Sequence, residues 1–370
     1  MVHWTSNKLQ ILGDYVDAFN IASKSAKERI YLDLMAGQPE NVDRHTGSAI
    51  DGSPRRTLAA PHGFTRHVFF ELPGHAETLE YALRKDFPDK DFRVVPGDSN
   101  ETIDAVLAEL RPFRQAPTFV FIDQQAAEVA WSTIVKISQF KGQRPRTKPE
   151  IWLLVSPMFV ARGVRGRNSD RFRERVTRFY GTNKWLIIQS AREDNEITPD
   201  QYREEMTNLI RFRLGEHLRY RYTHRIPMRL LNGSTIYDMV FASDHYVGDK
   251  IMRNLYAKAA EREPRMMAEA RRLARIQQES KGGLLTLFDP PSISPEVAGR
   301  LMWQPYEYWW PSSREWWTAR DVRQQRAGTG TSPEQNEGVV RPLGRRQAFG
   351  PRADRQAPGP SPSVSDHPTA

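Results

Sequence analysis

The chain has 370 residues, 39% of them hydrophobic and 27% charged, with a formal net charge of +9 and no cysteine. That length and balance suit a large globular core, alone or with an appendage. The missing cysteines exclude disulfides, iron–sulfur clusters and cysteine nucleophiles within this chain. No apolar run approaches the roughly 20 residues of a membrane span, and Met1-Val2-His3-Trp4-Thr5-Ser6-Asn7 lacks the charged and apolar regions of a signal peptide. The expectation is a basic, cytoplasmic protein without a membrane segment. The charge excess suits association with anions, nucleic acid included, and says nothing of fold.

In chain order, residues 5–24 read as an amphipathic helix, with Leu9, Leu12, Tyr15, Val16 and Phe19 at helical spacing. Arg29-Ile30-Tyr31-Leu32-Asp33-Leu34-Met35-Ala36-Gly37 then reads as a short buried strand ending in an acid, with a glycine four residues on. Three later segments repeat that form, His67–Glu71, Val94–Asp98 and Phe119–Asp123. Residues 42–66 read as a loop insertion with a short helix around Arg56–Ala60. Helices over 75–87, 100–112 and 126–140 alternate with the strands, and Ile151–Val155 reads as a fifth strand. Such alternation predicts βαβ units and a parallel sheet. Residues 161–178 are dense in arginine. Thr198-Pro199-Asp200-Gln201 reads as a capped helix start. Met228–Ala242, centred on Asn232-Gly233, reads as a β-hairpin, and Lys250–Gln277 as a long basic helix. The expected class is α/β, a Rossmann-like sheet that is mostly parallel and ends in an antiparallel hairpin, with helical C-terminal additions. The expected organisation is a main domain over 1–260, a helical and aromatic-rich segment over 261–322, and a disordered tail over 323–370. The aromatics of 303–317 suit packing on the main domain or docking of a partner.

Open α/β sheets bind ligands outside the carboxyl ends of their strands, so the strand-end acids are the candidate site. Asp33 and Gly37 frame a turn where the backbone can approach a ligand closely. A carboxylate at Glu71 can accept from both hydroxyls of a ribose. Asp98 lies in Gly97-Asp98-Ser99-Asn100, which an ordinary Asx-turn also explains. Ser53, Arg55 and Arg56 lie in Gly52-Ser53-Pro54-Arg55-Arg56, where two arginines behind a turn can grip a phosphate or stay solvated.

From Trp4 to Met252 the chain also resembles the three-Cys-motif partner proteins. The resemblance rests on the leading Trp-Ser/Thr helix, Tyr31–Gly37, Gly52-Ser53-Pro54, Phe70-Glu71, Gly97–Asn100, Phe121-Ile122-Asp123, Tyr180–Trp185, Tyr237–Ser243 and Lys250-Ile251-Met252. It implies a fold of the S-adenosylmethionine (SAM) methyltransferase type. It also implies SAM held by Asp33, Gly37, Glu71 and Asp98, with Asp98 on the adenine amino group and Asp123 facing the methyl acceptor. The implied partner is a radical-SAM-like protein that carries the three cysteines, in a setting of phage or mobile-element defence. Two departures stand out. Gly37 is followed by Gln38-Pro39-Glu40-Asn41 where a second glycine is expected, and Asp123 by Gln124-Gln125-Ala126 where proline, an aromatic and glycine are expected. They leave open a degenerate, non-enzymatic partner subunit.

Overall fold

The computed structural model describes residues 3–42, 49–142, 144–166 and 169–281. It is a mixed α/β structure whose centre is a seven-stranded sheet. The strands are β1 (Ile30–Asp33), β4 (Arg66–Glu71), β5 (Phe92–Pro96), β6 (Thr118–Ile122), β7 (Glu150–Val155), β8 (Tyr222–Arg229) and β9 (Thr235–Ser243), in the order β5-β4-β1-β6-β7-β9-β8. The first five lie parallel, and β9 and β8 close one edge antiparallel. The remaining strands, β2 (Glu40–Val42) and β3 (Ala49–Asp51), form a small antiparallel pair apart from the sheet. The helices are α1 (His3–Ala22), α2 (Ser53–Ala59), α3 (Pro73–Asp86), α4 (Ser99–Glu109), α5 (Trp131–Gln139), α6 (Pro157–Gly163), α7 (Ser169–Tyr180), α8 (Lys184–Glu193), α9 (Pro199–Phe212) and α10 (Tyr246–Lys281).

The period of two along each strand divides the interior into two cores. Ile30, Leu32, Val120, Ile122, Ile151 and Leu153 face one side, with side chains of α4, α5, α7, α8 and α9. Tyr31, Phe69, Phe119, Phe121, Trp152 and Leu154 face the other, with α1, α2, α3 and α10. The second side is strongly aromatic: Tyr15 of α1 meets Phe119 at 4.9 Å and Phe241 at 5.3 Å between ring centroids. By the same alternation Asp33 and Asp123 emerge on the α1 side of the sheet, two residues beyond Tyr31 and Phe121.

Several elements differ from the sequence reading for local reasons. Residues 42–66 are only partly loop: β2, β3 and α2 occupy its described part, and Gly52 accepts a close backbone approach between β3 and α2. The helix expected over 126–140 begins only at Trp131, because Gln124, Glu128 and Asn100 capture the backbone N–H groups of Val129, Ala126 and Ala130. The hairpin strand β8 begins six residues before Met228 and carries His224, which pairs with Asp249 at 2.6 Å. Helix α10 runs unbroken through residue 260 to Lys281. The aromatic segment 303–317 and the tail 323–370 lie outside the described residues.

The start of α9 carries the reciprocal cap that its sequence predicts: Thr198 Oγ1 accepts from the Gln201 N–H at 3.2 Å, and Gln201 Oε1 accepts from the Thr198 N–H at 2.8 Å. Thr198→Ala should therefore cost about 1 kcal/mol, read as a lower urea midpoint with unchanged slope. No loss would mean that this helix start is held by packing alone.

Candidate functional site

The strand order reverses between β1 and β6, and a cavity of about 1020 Å³ opens above the carboxyl ends of the parallel strands at that point. This is where open α/β sheets place ligands. Gly37, Ser53, Glu71, Asp98 and Asp123 all line it. Of the four strand-end acids, Glu71, Asp98 and Asp123 thus meet at one cavity, and Asp33 does not line it. Asp33 lies directly beneath, with no solvent exposure.

Asp33 is the floor of the site. Ser53 Oγ donates to it at 2.7 Å, the Tyr31 hydroxyl at 3.1 Å and the Met35 N–H at 3.3 Å. Burial, with the charge of Asp123 adding to it, pushes its carboxyl up to about 7 against those donors. Ser53 is therefore committed to holding α2 against the floor, through a hydroxyl that its position at the helix start aims inward. Gly52 before it admits no side chain, since a Cβ there would lie 2.4 Å from the Gln38 carbonyl oxygen.

The β1 turn is laid along the end of β4. Leu34 N–H donates to Phe121 O and Ala36 N–H to Phe70 O, each at 3.0 Å. Gly37 follows in the left-handed region at φ +68°, which suits glycine. Its N–H donates to Glu71 at 2.7 Å, and the Leu72 N–H donates to the other oxygen of Glu71 at 2.9 Å. Two backbone groups thus fix the Glu71 carboxylate in orientation. A carboxylate has about four acceptor sites, so Glu71 keeps capacity for two further donors. Asp98 caps α4, accepting from the Asn100 N–H and side-chain amide at 2.8 Å each. The Asx-turn reading and the cavity-lining reading of Asp98 both hold.

Asp123 takes the ammonium of Lys8 from α1. Lys8 is 5% exposed and lies 5.7 Å from the ring centre of Tyr237. The Tyr237 hydroxyl is buried with no hydrogen-bond partner among the described residues, and burial, with Asp123 adding to it, holds its pKa well up. Lys8 and Tyr237 were not among the sequence candidates. The signal for Lys8 was present: it lies at i, i+3, i+4 and i+7 with Ile11, Leu12 and Tyr15, a lysine on the apolar stripe of its own helix. Gln124, fully buried, donates to Leu154 O at 3.0 Å and accepts from the Val129 N–H, so it locks the loop after β6. Gln125 lines the cavity.

Arg55 and Arg56 are not brought to the cavity. Arg55 is spent on Glu40 and Asp86, and Arg56 donates to the Asp51 carbonyl at 3.1 Å. Arg55 is two residues past the inward-facing Ser53, about 200° around the helix axis. The same ion pair draws Glu40 onto β2, so it lends no like charge to the cavity wall. The cavity's cations come from elsewhere: Arg175 and Arg178 of α7 line it beside Phe159. Arg175 stacks on Phe172 at 4.9 Å and its Nε is buried without a partner. Neither arginine forms an ion pair with a described residue, although Asp170 and Glu174 share their helix.

The chain matches no family model and no curated protein. Among solved structures it is similar to a DUF519 protein, LPL1258 of Legionella pneumophila, at 12% identity and a TM-score of 0.41. The likeness covers 67% of this chain and 89% of that one.

Asp33 gives the site a pH dependence. Its value is raised from 3.8 to about 7 in the fold, so the protonated form is favoured when folded. The fold is then undisturbed by this group below 3.8 and loses stability as pH rises towards about 7. Denaturant unfolding should find the wild type weakened between pH 5 and 8 relative to Asp33→Asn by on the order of 1–3 kcal/mol. Parallel pH profiles for the two proteins would refute it.

Proposed function

We propose that this chain is a methyltransferase-like protein of the three-Cys-motif partner type, with SAM held in the cavity at the carboxyl ends of β1, β4, β5 and β6. The observation that carries this reading is the convergence of Gly37, Glu71, Asp98 and Asp123 on one cavity at the reversal of strand order. A parallel sheet closed by an antiparallel pair is also the usual layout of such methyltransferases.

The residues present suit the group. Glu71 is oriented by two backbone donors and keeps acceptor capacity for a ribose diol. The Gly37 turn lets the backbone come close without a side chain in the way, and Asp98, on the cavity wall, would accept from the adenine amino group. When bound, the cofactor supplies an electrophilic methyl group. The protein's part is then positioning: an acceptor held in line at near-attack distance, with water excluded. Asp123 stands at the end of β6, where it would accept a hydrogen from an acceptor amine and orient its lone pair. Lys8 of α1 fixes Asp123 through their ion pair. Arg175 and Arg178, unpaired on the far wall, suit the phosphates of a nucleic acid and would make binding salt-dependent.

A second reading is favoured by one observation. Asp123 is already ion-paired to Lys8, and Gln124 is wholly occupied by the backbone, so the acceptor side is tied down. In that case the chain is a non-enzymatic subunit for a cysteine-motif, radical-SAM-like protein.

Calorimetry on the full chain with SAM and S-adenosylhomocysteine separates the two. The first reading expects binding of both, weakened about 10–100-fold in Glu71→Gln, which loses charge-assisted hydrogen bonds of about 1.5–3 kcal/mol each. Heat from neither ligand would sink it. Co-purification of a cysteine-motif protein from the native host, with no cofactor binding, would then favour the subunit.

A further inference from the structure

The opposite pole of the sheet holds a second cavity that the adenosyl reading does not use. It measures about 310 Å³ and opens at the amino ends of β6 and β7, beneath the C-terminal half of α1 and the start of α10. Its apolar wall includes Phe19, Pro117 and Ile251. Its polar wall carries three cations, Lys141, Lys148 and Arg146, beside Glu150, His245 and several neutral polar side chains. Lys141 is 6% exposed and Lys148 9%. Neither ammonium makes a hydrogen bond or an ion pair with a described residue.

Most of each side chain is buried, yet neither ammonium is cut off from solvent, so each keeps its accessible surface at the cavity it lines; cations gathered on one lining favour an anion there. The nearby carboxylates, Glu150 and Asp244, attract these cations without contacting them. Glu150 is engaged by the Tyr15 hydroxyl and by Ser243 Oγ, and burial pushes it up to about 7, towards its neutral form. Asp244 is turned to the backbone, accepting from the N–H groups of Thr147 at 3.2 Å and Lys148 at 3.1 Å. That contact holds the loop carrying Arg146 and Lys148 against the cavity rim. Burial draws the Lys141 ammonium down to about 8 against the attraction of Glu150 and Asp244.

We infer that this cavity is a binding site for a small organic anion, a carboxylate or phosphate ester with an apolar body. The anion would meet Lys141 and Lys148, with Arg146 at the mouth, and the body would lie against Phe19, Pro117 and Ile251. At about 30 Å³ per water, the space suits a ligand of on the order of ten to fifteen heavy atoms. The inference does not depend on SAM binding at the other pole.

Thermal unfolding of the full chain in millimolar benzoate, phenyl phosphate or inorganic phosphate tests it and separates the two anion types. At least one organic anion should raise Tm by about 3 °C or more, above the effect of inorganic phosphate. The rise should vanish in Lys141→Met, whose stem keeps the packing, and shrink in Lys148→Met. Glu71→Gln at the distant cavity should leave it intact. No rise with any probe, or an equal rise in Lys141→Met, overturns the inference. Should Lys141→Met fail to fold, amine labelling of wild type decides instead. The stabilising probe should slow modification of Lys141 by about fivefold or more, and an unchanged rate overturns the site.

Discussion

A carboxylate without water at the middle of the sheet is the constraint around which the rest is arranged. Asp33 ends the strand where the order reverses, and it has no exposed surface. Such a group is tolerable only with donors on it and a raised tendency to hold its proton. Tyr31 and Met35 supply two of those donors from its own strand and turn, and Ser53 supplies a third from α2. The need for Ser53 explains the close approach of Gly52 to Gln38. That approach in turn sets the small β2–β3 pair and its Glu40–Arg55 contact. One buried acid thereby organises three separate segments into the floor of a cavity.

The cavity is electrically lopsided. Glu71, Asp98, Asp123 and Glu128 stand on the sheet and its turns, while Arg175 and Arg178 stand on α7. Among the described residues lining the cavity, Lys8 is the basic side chain on the acidic side, and it meets Asp123. A site divided this way can hold a neutral or cationic group against the sheet and an anionic one against the helix. The loop after β6 contributes stiffness. Gln124 spans from β7 to Val129, and Asn100 reaches from α4 to Glu128, Ala130 and Thr133.

Much of this was legible before any coordinates. The acids could be placed in one cleft because each follows a short apolar strand, and parallel strands deliver their carboxyl ends to one edge. The reading failed where meaning depends on which way a side chain turns. Arg55 and Arg56 looked like phosphate ligands beside a Gly-Ser-Pro turn, but the turn is a helix start, and helical rotation takes Arg55 away from the site. Gln124 and Gln125 stand where the resemblance expects proline and an aromatic, and what Gln124 does there, bridging backbone groups, has no sequence signal. Lys8 is easily passed over because a lysine is expected at the surface, and only its position on the apolar stripe betrays it. Lys141 and Lys148 had no signal at all: they are buried by the meeting of α1, α10 and the loop before β7, contacts that no local pattern encodes.

Helix α1 spans 20 residues and borders both cavities. Lys8, near its first turns, belongs to one; Tyr15, Phe19 and Ala22, further along, belong to the other. At 1.5 Å per residue, the eleven positions from Lys8 to Phe19 amount to a stiff rod of about 16 Å joining the two poles. A small axial slide or tilt of that rod would alter both rims together, so a molecule wedged against one end has a mechanical route to the other. Loss of this first helix would remove a wall from each.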